Sequence, residues 1–238
     1  MIPLRDTIPC QYPPLMTWAI IAVNVLVFVA ELLLPADSLE AFFYHFGLVP
    51  ARFTHPDWAA SAGLPLGNYW PFLTSMFLHG GWLHIIGNMW AFWIFGDNIE
   101  DRMGPFRFLL FYVLCGIAAG IVHVWTNPDS TVPTVGASGA IAGVLGAYFI
   151  LYPRAEVVTL LPIPFLPLFF NLPAFVYLLG WFLIQFLSGV GALAEPEQVG
   201  GVAYWAHVGG FVTGVALQWP LIHLGGERPR HEEEEVDY

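Results

Sequence analysis

The sequence predicts an all-α polytopic membrane protein, a bundle of six transmembrane helices with both termini on the cytoplasmic side. Three observations carry that expectation. First, 57% of the 238 residues are apolar and only 11% are charged, against roughly a quarter charged in soluble domains; the mean hydropathy is +0.66. Second, apolar runs recur near 17–34, 82–99, 106–126, 138–152, 174–190 and 202–222, most of them close to the ~20 residues that cross a hydrocarbon core. Third, the chain has no lysine and its arginines segregate. With six spans, Arg5, Arg102, Arg107, Arg154, Arg228 and Arg230 fall on one side and Arg52 alone on the other. The arginine-rich side is cytoplasmic by the positive-inside rule, and five or seven spans would scramble the segregation.

The elements follow in order. Residues 1–16 form a cytoplasmic segment, 17–222 the membrane domain and 223–238 an acidic cytoplasmic tail. The run Thr17 to Leu34 follows a polar, Pro-containing stretch and ends in Leu-Leu-Leu-Pro. It is longer than the apolar core of a signal peptide, so it reads as a retained span, and no Arg-rich, Ser-rich transit peptide precedes it. A cell (plasma) membrane location is expected. The loop 35–81 is long and mixed, with Trp58, Tyr69, Trp70 and Trp82 suited to the interface. The stretch 155–173 is apolar but holds Pro162, Pro164, Pro167 and Pro173. Repeated prolines break helices, so an interfacial connector is predicted there. Cys10 lies ahead of the first span and Cys115 inside an apolar run, which argues against a disulfide between them, and two cysteines build no metal cluster. No metal, no other cofactor and no nucleic-acid partner is expected. The tail Glu232-Glu233-Glu234-Glu235-Val236-Asp237 reads as a solvated end.

The informative residues are polar ones inside apolar runs, which are costly in lipid and therefore functional candidates. The second, fourth and sixth spans all begin at the outer face, and each has such residues near its start: His84 and Asn88, Ser138, and His207. His207 lies five residues into its span, roughly 8 Å at the helical rise, so the four share a depth. His84 and Asn88, four apart, share a helix face. Gly139, Gly143 and Gly146 form one small-residue stripe beside Ser138, and Gly210 and Gly214 line up with His207 as another. Such stripes let helix backbones approach closely, which a serine and a histidine on different helices need. The fourth span has only about 15 residues before Tyr152-Pro153, so it begins below the outer surface. The segment Pro133 to Ala137 then dips into the membrane, where non-helical backbone is tolerated only if covered or lining a wet cavity.

These residue types suit acyl transfer. Ser138 is the candidate nucleophile and His207 its general base. The free N–H groups at the start of the fourth helix favour an anion. With the Asn88 amide and His84 they form a candidate oxyanion site. A triad carboxylate would have to come from a loop, such as Asp129 or Glu195; a two-residue dyad is favoured. Zinc chemistry is disfavoured because H-E-x-x-H is missing, and Asp97 has no intramembrane aspartate partner.

Four stretches then stand in order: Phe77-Leu78-His79-Gly80-Gly81-Trp82-Leu83-His84-Ile85-Ile86-Gly87-Asn88, Glu100-Asp101-Arg102, Gly136-Ala137-Ser138-Gly139 and Ala206-His207-Val208-Gly209-Gly210. In these the chain resembles the rhomboid family of intramembrane serine proteases. The resemblance covers about Trp70 to Pro220. It implies a six-helix core, a Ser138–His207 dyad, oxyanion contacts from Asn88 and His84, and motif support from Gly136, Gly139 and Gly210. It also implies cleavage of single-span membrane proteins in the lipid bilayer near the outer face, with Trp181 and Phe182 where substrate arrives sideways. Two positions depart from the family's pattern: Ala142, where some members place an aromatic ring against the catalytic histidine, and Pro71, where many have arginine.

Simpler roles suit the remaining polar residues. His79 is assigned a structural role; Glu100, Asp101 and Arg102 an ion-paired, capped helix end; Asn24 and Glu31 packing, with Glu31 able to reach the first loop; His45, His55, His123, His223 and His231 none. The competing functional classes are a catalytically inactive client-binding relative and a small transporter.

Overall fold

A computed structural model describes residues 1–163, 166–194 and 203–223. A short strand, β1 (Ile2–Asp6), leads into α1 (Leu15–Leu32). The first loop is a run of short helices: α2 (Ala36–Phe46), α3 (Ala51–Thr54), α4 (Pro56–Ser61), α5 (Pro71–Thr74) and a 3-10 turn, Ser75–Phe77. Then come α6 (Trp82–Met103), α7 (Pro105–Thr126), α8 (Ser138–Leu151), strands β2 (Glu156–Leu161) and β3 (Leu168–Pro173), α9 (Ala174–Ala194) and α10 (Tyr204–His223). The six long apolar stretches of the sequence thus all become helices, with ends within a few residues of expectation.

Among the described residues three helices, α1, α7 and α9, are long and apolar enough to cross a membrane by length and composition alone. The other three fall short for visible reasons. Helix α8 has 14 residues, α6 carries Asp97, Glu100, Asp101 and Arg102, and α10 carries His207, Thr213 and Gln218. The chain is a polytopic membrane protein with an all-α bundle.

Helix α8 is the centre of that bundle. Every residue from Ala140 to Tyr148 is buried, and α8 touches α6, α7, α9 and α10. A helix apolar on all sides is stable only when surrounded. Its glycine face meets α10 so closely that a Cβ on Gly214 would lie 2.6 Å from the Gly143 carbonyl carbon, and one on Gly210 would lie 3.0 Å from that of Gly139. Between α6 and α7 the chain reverses at Gly104, whose φ of +74° suits glycine, and Pro105 opens α7 at a position where its missing N–H costs nothing.

Two expectations are corrected. The connector 155–173 forms a hairpin, β2 pairing antiparallel with β3 from Glu156↔Pro173 to Leu161↔Leu168, and β1 adds to the other edge of β2. The chain is therefore not wholly helical, and residues of the N-terminal segment form one strand of this sheet. The sequence Glu-Val-Val-Thr-Leu-Leu alternates, burying Val157 and Thr159, the period of a half-buried strand. Pro162 and Pro167 lie between the strands and Pro173 ends β3; prolines exclude helix but are tolerated at strand ends. The second correction concerns Glu100 and Asp101, which form no ion pair with Arg102. The Glu100 carboxylate accepts the N–H groups of Met16 (2.8 Å) and Thr17 (2.7 Å) and the Thr17 hydroxyl (2.8 Å), and Asp101 accepts those of Gln11 and Tyr12. Glu100 thus satisfies orphan donors in the first turn of α1, and Asp101 ties down the segment leading into it, a point that charge spacing along α6 alone does not reveal.

Candidate active site

Ser138 is the first residue of α8, and His207 sits in the first turn of α10. Their side chains meet: His207 Nε2 lies 2.7 Å from Ser138 Oγ. The glycine contacts below them set that distance. Gly139 sits against Ala119 of α7 and near the Ala206 carbonyl, and Gly210 against the Gly139 carbonyl, so three helices converge where any side chain would hold them apart.

The approach to Ser138 is irregular backbone, tied at Thr134 and Gly136. Leu48 and Thr134 exchange backbone hydrogen bonds at 2.9 Å in both directions, and Gly136 N–H donates to the Ser75 carbonyl at 2.9 Å. Buried backbone donors must find such partners. Gly136 has φ +129°. A Cβ there would lie 2.6 Å from His84 Nε2 and 3.6 Å from Asn88 Nδ2. That corner therefore brings His84 and Asn88 of α6 up to the loop preceding Ser138. Asn88 Nδ2 donates to His79 Nε2 at 2.9 Å. An amide nitrogen carries two hydrogens, so one remains for a ligand. His79 is buried, its ring edge-on to His84, and the Glu31 carboxylate accepts its backbone N–H. A chain of contacts from α1 through the loop to α6 thus orients Asn88.

Ser138, His207, His84, Asn88, Ser75 and Thr134 all line one cavity of about 300 Å³. Of the residues singled out from sequence, the structure brings together Ser138, His207, Asn88, His84, Gly136, Gly139 and Gly210. It does not bring Asp129, whose carboxylate is 87% exposed and pairs with His55 at 3.3 Å. Glu195, and the acidic tail beyond His223, lie outside the described residues. Among the described residues no group of three or more His, Cys, Asp or Glu side chains is placed to hold a metal ion.

Within residues 66–224 the sequence matches the Rhomboid domain family. The chain belongs to the rhomboid family. It is 30% identical over 152 residues to Rhomboid protein 1, mitochondrial, of Saccharomyces cerevisiae, a match covering 61% of this chain and 40% of that protein. It is 42% identical over 81 residues to Rhomboid protease GluP of Bacillus subtilis, covering 34% and 15%, and 30% identical over 153 residues to RHOMBOID-like protein 6, mitochondrial, of Arabidopsis thaliana, covering 64% and 44%. The matched part spans less than half the length of each of these relatives.

At this rhomboid site sequence reasoning missed Gln185, and it gave Trp181 a place beside arriving substrate without foreseeing its contact with His207. Gln185 of α9 places its Oε1 2.7 Å from His207 Nδ1, and Trp181, one turn earlier, lays its ring 5.8 Å from the imidazole, centre to centre, tilted 36°. The signal was present, since Gln185 is the one amide in the apolar run 174–190. Ala142 is buried in α8, and the aromatic ring against His207 comes from α9. His123 of α7, given no role from sequence, also lines the cavity, with Nε2 2.8 Å from Thr134 Oγ1. As for Pro71, the loop is fixed without an arginine there: Thr74 Oγ1 donates to the Phe46 carbonyl at 2.6 Å, and buried Arg52 donates to the carbonyls of His45 and Pro65.

Proposed function

We propose that this rhomboid-family chain is an intramembrane serine endopeptidase acting on single-span membrane proteins near the outer face of a cell membrane, with six spans and both termini cytoplasmic. The observation that carries the reading is the 2.7 Å contact between Ser138 Oγ and His207 Nε2 at the wall of a cavity that His84, Asn88 and His123 also line. His207 Nε2 takes the hydroxyl proton as Oγ attacks the scissile carbonyl carbon, and returns it to the leaving amine. Water, deprotonated by the same nitrogen, then releases the acyl group. The developing oxyanion is held by the free N–H groups at the start of α8, the spare Asn88 N–H and His84; each such donor contributes about 3–4 kcal/mol to a typical hydrolase transition state. The 14 residues of α8 span about 21 Å, less than the ~30 Å hydrocarbon core, so Ser138 lies beneath the headgroups where water reaches it through the cavity.

The test is cleavage of a single-span reporter in liposomes, with fluorophosphonate labelling mapped to a residue. The parental protein cuts and is labelled at Ser138, while Ser138→Ala and His207→Ala fold and do neither. Cleavage at the parental rate by either variant rejects the dyad.

A further inference from the structure

The general base of the proposed hydrolysis needs one particular tautomer. For Nε2 to accept the Ser138 proton, the ring hydrogen must sit on Nδ1, and something must hold it there. The Nδ1 position faces Oε1 of Gln185 at 2.7 Å. An amide oxygen only accepts, so this contact selects the Nδ1–H form. The reversed amide would donate to Nδ1 and force the hydrogen onto Nε2, facing Ser138, where histidine accepts nothing. Trp181, four residues earlier on the same face of α9, packs its ring on the imidazole and limits its rotation. One turn of α9 thus supplies both a tautomer-selecting acceptor and a wall.

We propose that Gln185 is a positioning residue that completes a neutral Ser138–His207–Gln185 relay, orienting His207 through Nδ1; this rests on the protease reading above. No proton reaches the amide. The Ser138 proton moves to Nε2, the imidazolium keeps its Nδ1–H on Gln185 Oε1, and the Nε2 proton leaves with the amine. Unlike a carboxylate, the amide carries no charge, so the base is oriented without placing an unpaired anion among apolar helices.

Two variants of similar length separate this role from packing. Gln185→Leu removes the acceptor; Gln185→Glu keeps one. In liposomes Gln185→Leu is expected to lower kcat at least about tenfold with KM within twofold, since a wrong tautomer costs up to ~10⁴ in a serine hydrolase, and Gln185→Glu to restore most of that loss. In ¹⁵N-histidine-labelled protein the parental His207 signal is expected to report Nδ1 protonated and Nε2 bare, and Gln185→Leu to lose that signature. The proposal is overturned if Gln185→Leu keeps the parental kcat, if Glu is as impaired as Leu, or if the parental tautomer is Nε2–H. A parental protein that shows the Nδ1–H signature, loses it in Gln185→Leu, yet neither cuts nor labels at Ser138 refutes the protease reading and upholds the orienting contact.

Discussion

The closest test of how the helix packing sets the site is Gly214→Ala, two turns below His207, about 10 Å along α10. A methyl group there would lie 2.6 Å from the carbonyl carbon and 2.7 Å from Cα of Gly143, against the 3.5–4.0 Å of an ordinary carbon contact. The opposing atoms are backbone in the middle of α8, which cannot swing aside as a side chain would. Helices α8 and α10 must therefore part by about 1 Å at that level. If the shift carries up the rigid helix, the 2.7 Å Ser138–His207 contact opens to about 3.7 Å, beyond hydrogen-bond range. Overpacking of this kind costs ~1–3 kcal/mol of stability, and a 1 Å misplacement costs ~100-fold in rate. The assay is kcat/KM on a single-span reporter in liposomes, beside a thermal melt. Gly180→Ala on α9, where an added Cβ meets nothing within 4 Å, is the control and should stay within about twofold, since nothing is displaced. A folded Gly214→Ala that cuts at the parental rate would refute the claim that glycine contacts set the dyad distance.

Two further predictions concern the other end of the bundle. Glu100→Ala removes the acceptor of three hydrogen bonds at the start of α1 and leaves buried donors unpaired; a loss of about 3 kcal/mol, read as a lower melting temperature, is expected, and an unchanged melt would contradict the capping role. Asp6, which accepts from the Tyr148 hydroxyl at 2.5 Å, is pushed up to about 6 by burial, against the opposing pull of the Tyr148, Asp6 and Ile8 hydrogen bonds. Since an acid raised in the folded state favours folding while protonated, its contribution is full below its ordinary value near 3.8 and is lost as pH rises through about 6. Protection factors of the β1 amides, which are corrected for the intrinsic pH dependence of exchange, should therefore be larger at pH 5 than at pH 7.5, and Asp6→Asn should flatten that difference.

Much of the bundle was legible because lipid imposes simple rules. A long apolar run has one economical backbone arrangement in hydrocarbon, the helix, so six helices could be placed within a few residues. The serine, the histidines and Asn88 stood out because polar groups in such runs are expensive. The hairpin was obscured because prolines argue against helix without saying whether they interrupt a strand or bound one. Glu100 looked like half of an ion pair because Arg102 is near in sequence, whereas its partners, Met16 and Thr17, are more than eighty residues away.

By itself the sequence determined which residues could do chemistry and which helices would carry them, because composition and periodicity act locally along the chain. Only the tertiary structure decided that Ser138 and His207 stand 2.7 Å apart, that Asp129 turns outward to His55, and that an amide from α9 faces the far side of the imidazole. Those outcomes depend on how closely glycine faces let separate helices approach and on how each is rotated, and no single helix's sequence specifies the rotation of its neighbours.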